Sequence, residues 1–241
     1  MQIKQHIPNA ITACNLLSGV VGLYFAFEGR MEAAFIMMLA AGAFDFLDGF
    51  AARLLGVQSP VGAELDSLSD VVSFGVLPAA MLSLHVKEVS AAHLLLCAIP
   101  LLIAVFSAIR LAKFNTDDRQ HFSFLGLPTP GAAILCGSIA ALCAARPDSV
   151  AAHIFSYWWA AAVLSGIVSV LLVCEIPFFS FKVNRNDEKA AVQGMKRTCF
   201  FCISAVAVII AVVLSWHWTA IPAGIVSAYI LENLILRIFR I

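Results

Sequence analysis

The sequence predicts an all-α fold, a polytopic transmembrane helical bundle, and three observations carry that prediction. Of 241 residues, 61% are hydrophobic and only 12% charged, with a mean hydropathy of +0.93; that ratio suits a bilayer rather than water. Apolar stretches of roughly 18–25 residues recur along the chain, each long enough to cross about 30 Å of hydrocarbon. The basic residues then divide unevenly between alternate connections, as they do in membrane proteins.

Eight spans are expected, near 8–27, 31–56, 60–84, 91–115, 128–145, 151–178, 197–215 and 217–238. The first is entered from Met1-Gln-Ile-Lys-Gln-His-Ile-Pro8, a start with one lysine that reads as a retained helix rather than a cleavable leader. The second and third are joined by a short connection around Gly56–Pro60, which returns the chain antiparallel. The fourth closes on Arg110–Asn115, the fifth opens after Phe124–Pro130, and the sixth ends near Pro177–Lys182. Only Ser215–Thr219 separates the last two, which also suits a single re-entrant unit. No repeat is visible, and the longest polar loop, Ser180–Arg197, is too short for a soluble domain.

Composition removes several function classes. Formal net charge is zero, so nothing in bulk points to nucleic acid. Seven cysteines, an odd number lying mostly in apolar runs, read as small core residues rather than a disulfide framework. Cys199 and Cys202 form a CxxC, but inside a hydrophobic helix and without a second pair. The six histidines show no ligand spacing; His121 alone falls in the loop near the candidate site described below. Trp158, Trp159, Trp216, Trp218 and Tyr157 cluster at span ends as interfacial anchors.

With the N-terminus on the cytoplasmic side, Lys4, Arg53, Arg110, Lys113, Arg119, Lys182, Arg185, Lys189, Lys196, Arg197, Arg237 and Arg240 lie inside, and Arg30, Lys87 and Arg146 outside. This bias places both termini, and the turn after Arg53, in the cytoplasm. The expected location is the bacterial inner, cytoplasmic membrane. The basic strip Lys182–Arg197 reads as contacting headgroups of the membrane lipids.

Against this apolar background, Asp45, Asp48, Asp66 and Asp70 fall within 26 residues. Carboxylates in or near a bilayer are costly and mark function. Asp45 and Asp48 are i, i+3 on the second helix and share a face, with Gly49 and Arg53 on an adjoining strip. Gly62, Asp66 and Asp70 are i, i+4, i+8 on the third. The antiparallel return lets the two stripes face each other, and the glycines let backbone or ligand approach. Two carboxylates about 4 Å apart repel by roughly 4 kcal/mol at an effective dielectric near 20, which the single Arg53 does not offset. Either several carboxyls are protonated or divalent cations lie among them, and an all-oxygen set suits Mg2+, Mn2+ or Ca2+ rather than zinc. Two such metals would clamp substrate phosphates. Carboxylates solvated at helix ends and a proton or cation pathway, as in a carboxylate-lined transporter, are the competing readings.

The run D-x2-D-G-x2-A-R-x8-G-x3-D-x3-D, met here by Asp45, Asp48, Gly49, Ala52, Arg53, Gly62, Asp66 and Asp70, resembles the signature of the CDP-alcohol phosphotransferases. That resemblance implies a six-helix membrane enzyme, a homodimer, that moves a phosphate-bearing group from a CDP-linked donor to an alcohol and releases CMP. It implies two divalent cations, Mg2+ or Mn2+, held by Asp45, Asp48, Asp66 and Asp70, with Asp70 also the general base. It implies contacts to the CDP moiety from Gly49, Arg53 and Ser59, and from Asn9 and Thr12 in the segment Pro8-Asn9-Ala-Ile-Thr12. The family core is expected over 1–183, with a cytoplasmic loop and two further spans over 184–241.

Softer motifs, among them Asp70-Val-Val-Ser-Phe-Gly-Val-Leu-Pro78 and Phe124-Leu-Gly-Leu-Pro128-Thr-Pro130, resemble the branch of that family that makes phosphatidylserine. This implies CDP-diacylglycerol and serine as substrates, with glycerol phosphate or inositol as alternative acceptors. The serine carboxylate wants a guanidinium or ammonium with amide donors nearby. Arg110, Lys113 and Asn115, at the same end of the bundle as the aspartates, are the candidates, Arg110 first; ordinary positive-inside topology explains the same charges.

Overall fold

A computed structural model of the chain describes residues 4, 6–57, 59–89, 94–116, 124–178, 200, 201, 204, 205, 208, 209 and 217–238. Its architecture follows from the apolar segments. Helix α1 (His6–Phe27) lies against α2 (Met31–Leu55) in the most extensive helix pairing of the bundle. Gly56 ends α2 in the left-handed conformation (φ 62°), its N–H turned back to the Ala52 and Arg53 carbonyls. The chain reverses, and Ser59 caps α3 (Pro60–Asp70) by accepting from the Gly62 N–H at 3.2 Å, with Pro60 in the first turn where its missing N–H costs nothing.

The third span is one continuous rod with an irregular middle. After α3 the chain widens into a π-helical turn, Val71–Val76, and resumes as α4 (Leu77–Val89). The Leu77 N–H bonds to the Val72 carbonyl, five residues back. Pro78 lacks the N–H that would reach the Phe74 carbonyl in a regular α-helix, which gives a local reason for the wider turn. The span 60–88 is the most enclosed of the long ones, with 56% of its most apolar window buried against about 30% for the other three. Two of the four aspartates ride on the first part of that span, α3, where Ser69 is buried and the other residues are partly or fully exposed.

Helix α5 (Leu94–Cys97) and a 3-10 turn (Ile99–Leu101) lead into α6 (Leu102–Thr116). Helix α7 (Thr129–Ala145) matches the expected fifth span closely. The expected sixth span is instead broken into α8 (Val150–Phe155) and α9 (Trp158–Val173). Ser156 donates to the His153 carbonyl at 2.7 Å, and Tyr157, in extended conformation, stacks on Trp159 at 5.9 Å between ring centres. The aromatic anchors thus turn the chain before the crossing helix begins. Helix α10 (Ala220–Ile238) closes the described chain. Four segments are long and apolar enough to cross a membrane, 6–27, 31–55, 60–88 and 95–116, with shorter apolar helices in α7, α9 and α10; the protein is a polytopic helical bundle. The expected seventh span, including the CxxC, and the strip Lys182–Arg197 fall mostly outside the described residues, as does His121.

The core runs between α2, α4, α7 and α9, where Phe35, Met38, Leu77, Met81, Leu82 and Leu172 are fully buried. Small residues let these helices approach: Ala34, Ala41, Ala132, Ala133, Ala140 and Ala141 have no exposed surface. Helix α10 joins the same core through Val226 and Tyr229, and Tyr229 packs on Phe178 and Phe200. The aromatic face of α10 makes it part of the central packing. At the end opposite α2's C-terminus, Glu32 accepts from Trp218 Nε1 at 3.1 Å and lies 3.3 Å from His217 Nε2, tying α10 to the start of α2.

The sole strand pairing among the described residues is a two-residue antiparallel ladder, Phe124 with Phe178 and Leu125 with Pro177. Gly126 follows it at φ 79°, its N–H on the Ile176 carbonyl at 2.9 Å. A Cβ there would stand 2.7 Å from the Leu172 carbonyl oxygen and 2.9 Å from that of Cys174. Gly126→Ala therefore combines an unfavourable φ with a backbone clash. It is expected to cost at least about 2 kcal/mol and to lower the apparent melting temperature of the detergent-solubilised protein.

Candidate active site

Three helices build the site at one end of the bundle. Asp45 and Asp48 lie on the last turns of α2, and Asp66 and Asp70 on α3, which returns beside it. The facing stripes anticipated from spacing are present: carboxylate oxygens of Asp45, Asp48 and Asp66 lie within 4.8 Å of one another. Asp70 stands one turn further along α3, outside that group but close enough for the charges of the other three to act on it.

The strip of α1 facing these stripes is polar. Thr12, 3% exposed, donates through Oγ1 to Asp48 Oδ2 at 2.6 Å. Asn15, fully buried, donates through Nδ2 to Asp70 Oδ1 at 3.2 Å. Ser73, in the π turn, donates to the Asn15 backbone carbonyl at 3.1 Å. One helix face thus holds a carboxylate from each of the other two. Sequence reasoning missed Asn15 and Ser73. The available signal was an asparagine three residues after Thr12 in an apolar span, where an unpaired amide is costly.

A cavity of about 450 Å3 opens beside the aspartates. Asn9, Thr12, Gly49 and Ser59 line it, together with Asp48 and Asp66. Gly62 admits α1: a Cβ at that position would lie 2.6 Å from Asn9 Oδ1. Arg53 is exposed and is not among the lining residues; its guanidinium folds back over Gly49, with Nη1 3.4 Å from where a Cβ would stand.

The three candidates for the acceptor carboxylate do not converge. Arg110 is buried, donates through Nη1 to Thr129 Oγ1 at 2.9 Å, and has its guanidinium 5.7 Å from the Phe114 ring centre. The Asp70 charge acts on it, which places it on the site side of α6. Asn115 is exposed and donates to Ser67 Oγ at 2.8 Å, joining the end of α6 to the aspartate helix. Lys113 is exposed, one turn beyond Arg110 toward the end of α6.

The donor set fits a hard cation. It is all oxygen, three carboxylates converge, and Asp66 Oδ1 is buried without a hydrogen-bond partner. Among the described residues, no ion pair joins the four aspartates to a lysine or arginine. Asp45, Asp48 and Asp66 could hold a metal as they stand.

The family model for CDP-alcohol phosphatidyltransferase matches residues 5–166, which contain every residue of this site. The chain belongs to that family. Among CDP-alcohol phosphatidyltransferases, it is similar to the CDP-diacylglycerol–serine O-phosphatidyltransferase of Mycobacterium tuberculosis, at 37% identity over 180 residues, covering 72% of this chain and 60% of the relative. It is also similar to the Helicobacter pylori protein of the same name, at 37% over 130 residues, covering 53% and 54%. A third relative is the archaetidylserine synthase of Methanothermobacter thermautotrophicus, at 35% over 134 residues, covering 55% and 56%. The chain therefore spans less than two thirds of the length of each of these relatives.

Proposed function

We propose that the protein transfers the phosphatidyl group from CDP-diacylglycerol to the hydroxyl of L-serine, giving phosphatidylserine and CMP. The observation that carries this reading is the convergence of three carboxylates beside a cavity lined by Asn9, Thr12, Gly49 and Ser59, with a fourth carboxylate set apart and held by an amide. Serine as acceptor rests on the relatives: their names share that alcohol whether the lipid is phosphatidyl or archaetidyl.

In this reading the cavity receives the CDP group. Asn9, Thr12, Gly49 and Ser59 bound it, and Arg53, folded over Gly49, is positioned to swing onto a diphosphate oxygen, a bidentate contact that lysine would not reproduce. Two divalent cations, Mg2+ or Mn2+, would be held by Asp45, Asp48, Asp66 and Asp70, and when bound would disperse the charge on the phosphate oxygens. Asp70 takes the proton of the serine hydroxyl. The freed oxygen forms a bond to the phosphorus that bears the diacylglycerol, the bond from that phosphorus to the CMP oxygen breaks, and CMP leaves. Asn15 fixes which way the Asp70 carboxylate faces, since a carboxylate can only accept from its amide.

The same reading places the site at the cytoplasmic side of a bacterial inner membrane, with both termini cytoplasmic and the enzyme a homodimer. Support for the orientation comes from geometry: the ends of α2 and α6, with Arg53 and Lys113, lie at the site end, while Arg30 and Arg146 lie at the other. In this reading residues 1–183 form the catalytic core, and α10, the described helix of 184–241, packs onto it.

Arg110 is the proposed holder of the serine carboxylate, with Lys113 and Asn115 at the entrance. Arg110→Ala is expected to raise the serine KM about tenfold or more, the worth of a charge-assisted hydrogen bond, and to leave the KM for CDP-diacylglycerol within about twofold. Steady-state kinetics in mixed micelles reads both, and equal effects on the two substrates would remove the assignment. The function itself is tested by CMP release from CDP-diacylglycerol: a requirement for serine supports it, and release driven by glycerol phosphate or inositol instead would reassign the acceptor.

A further inference from the structure

Among the described residues, Asn15 makes one of the four hydrogen bonds its carboxamide offers. It is fully buried, and its Nδ2 is committed to Asp70 Oδ1 at 3.2 Å. With Nδ2 facing Asp70, Oδ1 lies on the other side of the carboxamide. That Oδ1 is buried and has no hydrogen-bond partner among the described residues. A buried carbonyl without a donor is costly, and here it lies in the same carboxamide as the atom that holds Asp70.

We infer that Asn15 Oδ1 accepts a hydrogen bond from the ammonium of the acceptor, making Asn15 the residue that selects a 1,2-amino alcohol. The inference rests on Asp70 being the base toward the acceptor hydroxyl. In a 1,2-amino alcohol the hydroxyl and ammonium sit on adjacent carbons. A hydroxyl at Asp70 therefore leaves the ammonium a short step away, as Oδ1 is a short step from Nδ2 across one carboxamide. From the π turn, Ser73 donates to the Asn15 backbone carbonyl at 3.1 Å and ties α1 to the aspartate helix beside this side chain.

The test compares serine with 3-hydroxypropanoate, which keeps the hydroxyl and the carboxylate and lacks the ammonium. The assay is CMP release by the purified full chain with saturating CDP-diacylglycerol. The unsubstituted protein should prefer serine in kcat/KM by about tenfold or more, the effect of one hydrogen bond to a charged group. In Asn15→Ala that preference should fall to within about threefold, through a rise in the serine KM, whatever happens to kcat. An unsubstituted protein that uses both acceptors equally would overturn the inference without any variant being made, so a variant that fails to fold does not shield it. An Asn15→Ala protein that loses kcat for both acceptors alike and keeps the preference would also overturn it, assigning Oδ1 to a buried water and Asn15 to orienting Asp70 alone. No serine-dependent CMP release in the unsubstituted protein would overturn the proposed function together with the inference.

Discussion

Asp70→Asn is expected to lower serine-dependent CMP release by about a thousandfold, in the middle of the range for removing a general base, while CDP-diacylglycerol still binds. The two halves of that expectation come from different observations. Asp70 stands outside the trio of converging carboxylates and outside the residues that line the cavity. Asparagine is isosteric, so the packing of α3 is undisturbed, but its amide cannot take a proton, and its nitrogen would face the Asn15 nitrogen unless one of the two amides turned over. Binding of the donor lipid, followed by fluorescence of a labelled CDP-diacylglycerol, should stay within about threefold of the unsubstituted protein. A variant that keeps activity would remove Asp70 from the chemistry.

Chelation is the second large effect. Removing divalent cations with EDTA is expected to bring CMP release to background, and Mg2+ or Mn2+ should restore it. Asp66→Asn should lower activity at least about a hundredfold, equivalent to about 2.7 kcal/mol of lost charge stabilisation, and should raise the metal concentration needed for half-maximal rate. Asp66 is the informative choice because its Oδ1 is buried and has no hydrogen-bond partner, whereas Asp48 already receives the Thr12 hydroxyl. Titration of metal against rate separates the two contributions. Activity that survives both EDTA and Asp66→Asn would contradict the reading of the carboxylates as ligands.

The carboxylate pair of stripes was legible because it depends only on helical spacing and one short reversal. Asp45, Asp48 and Asp66 meet across a turn that Gly56 and Ser59 specify locally. What could not be read is whatever depends on contacts distant in sequence. Asn15 and Asp70 are 55 residues apart, and Ser73 reaches back 58 residues to the same asparagine. Neither pairing leaves a trace in periodicity. The π turn was hidden for another reason: Pro78 signals a disturbed helix, but a kink, a break and a wider turn all satisfy a missing N–H.

The acceptor candidates show the same limit. Arg110, Lys113 and Asn115 were grouped because they end one helix near the aspartates. Their surroundings differ even so: Lys113, one turn nearer the helix end than the buried Arg110, is exposed, and the five-residue offset turns Asn115 onto another face. Arg110 goes inward to Thr129, while Asn115 reaches Ser67 and Lys113 stays exposed. The break before α9 follows from Tyr157 stacking on Trp159 at the turn. The sequence marked those aromatics as anchors, but it did not show that they stand at a bend rather than at the end of a straight span.

Incorporation of radiolabelled serine into lipid, by the purified protein supplied with CDP-diacylglycerol and Mg2+ or Mn2+, tests the central claim most directly. Labelled phosphatidylserine should form with one CMP released per serine incorporated, and Asp70→Asn should form almost none. Release of CMP without labelled lipid, or labelled lipid formed equally well by the Asp70→Asn protein, would contradict it.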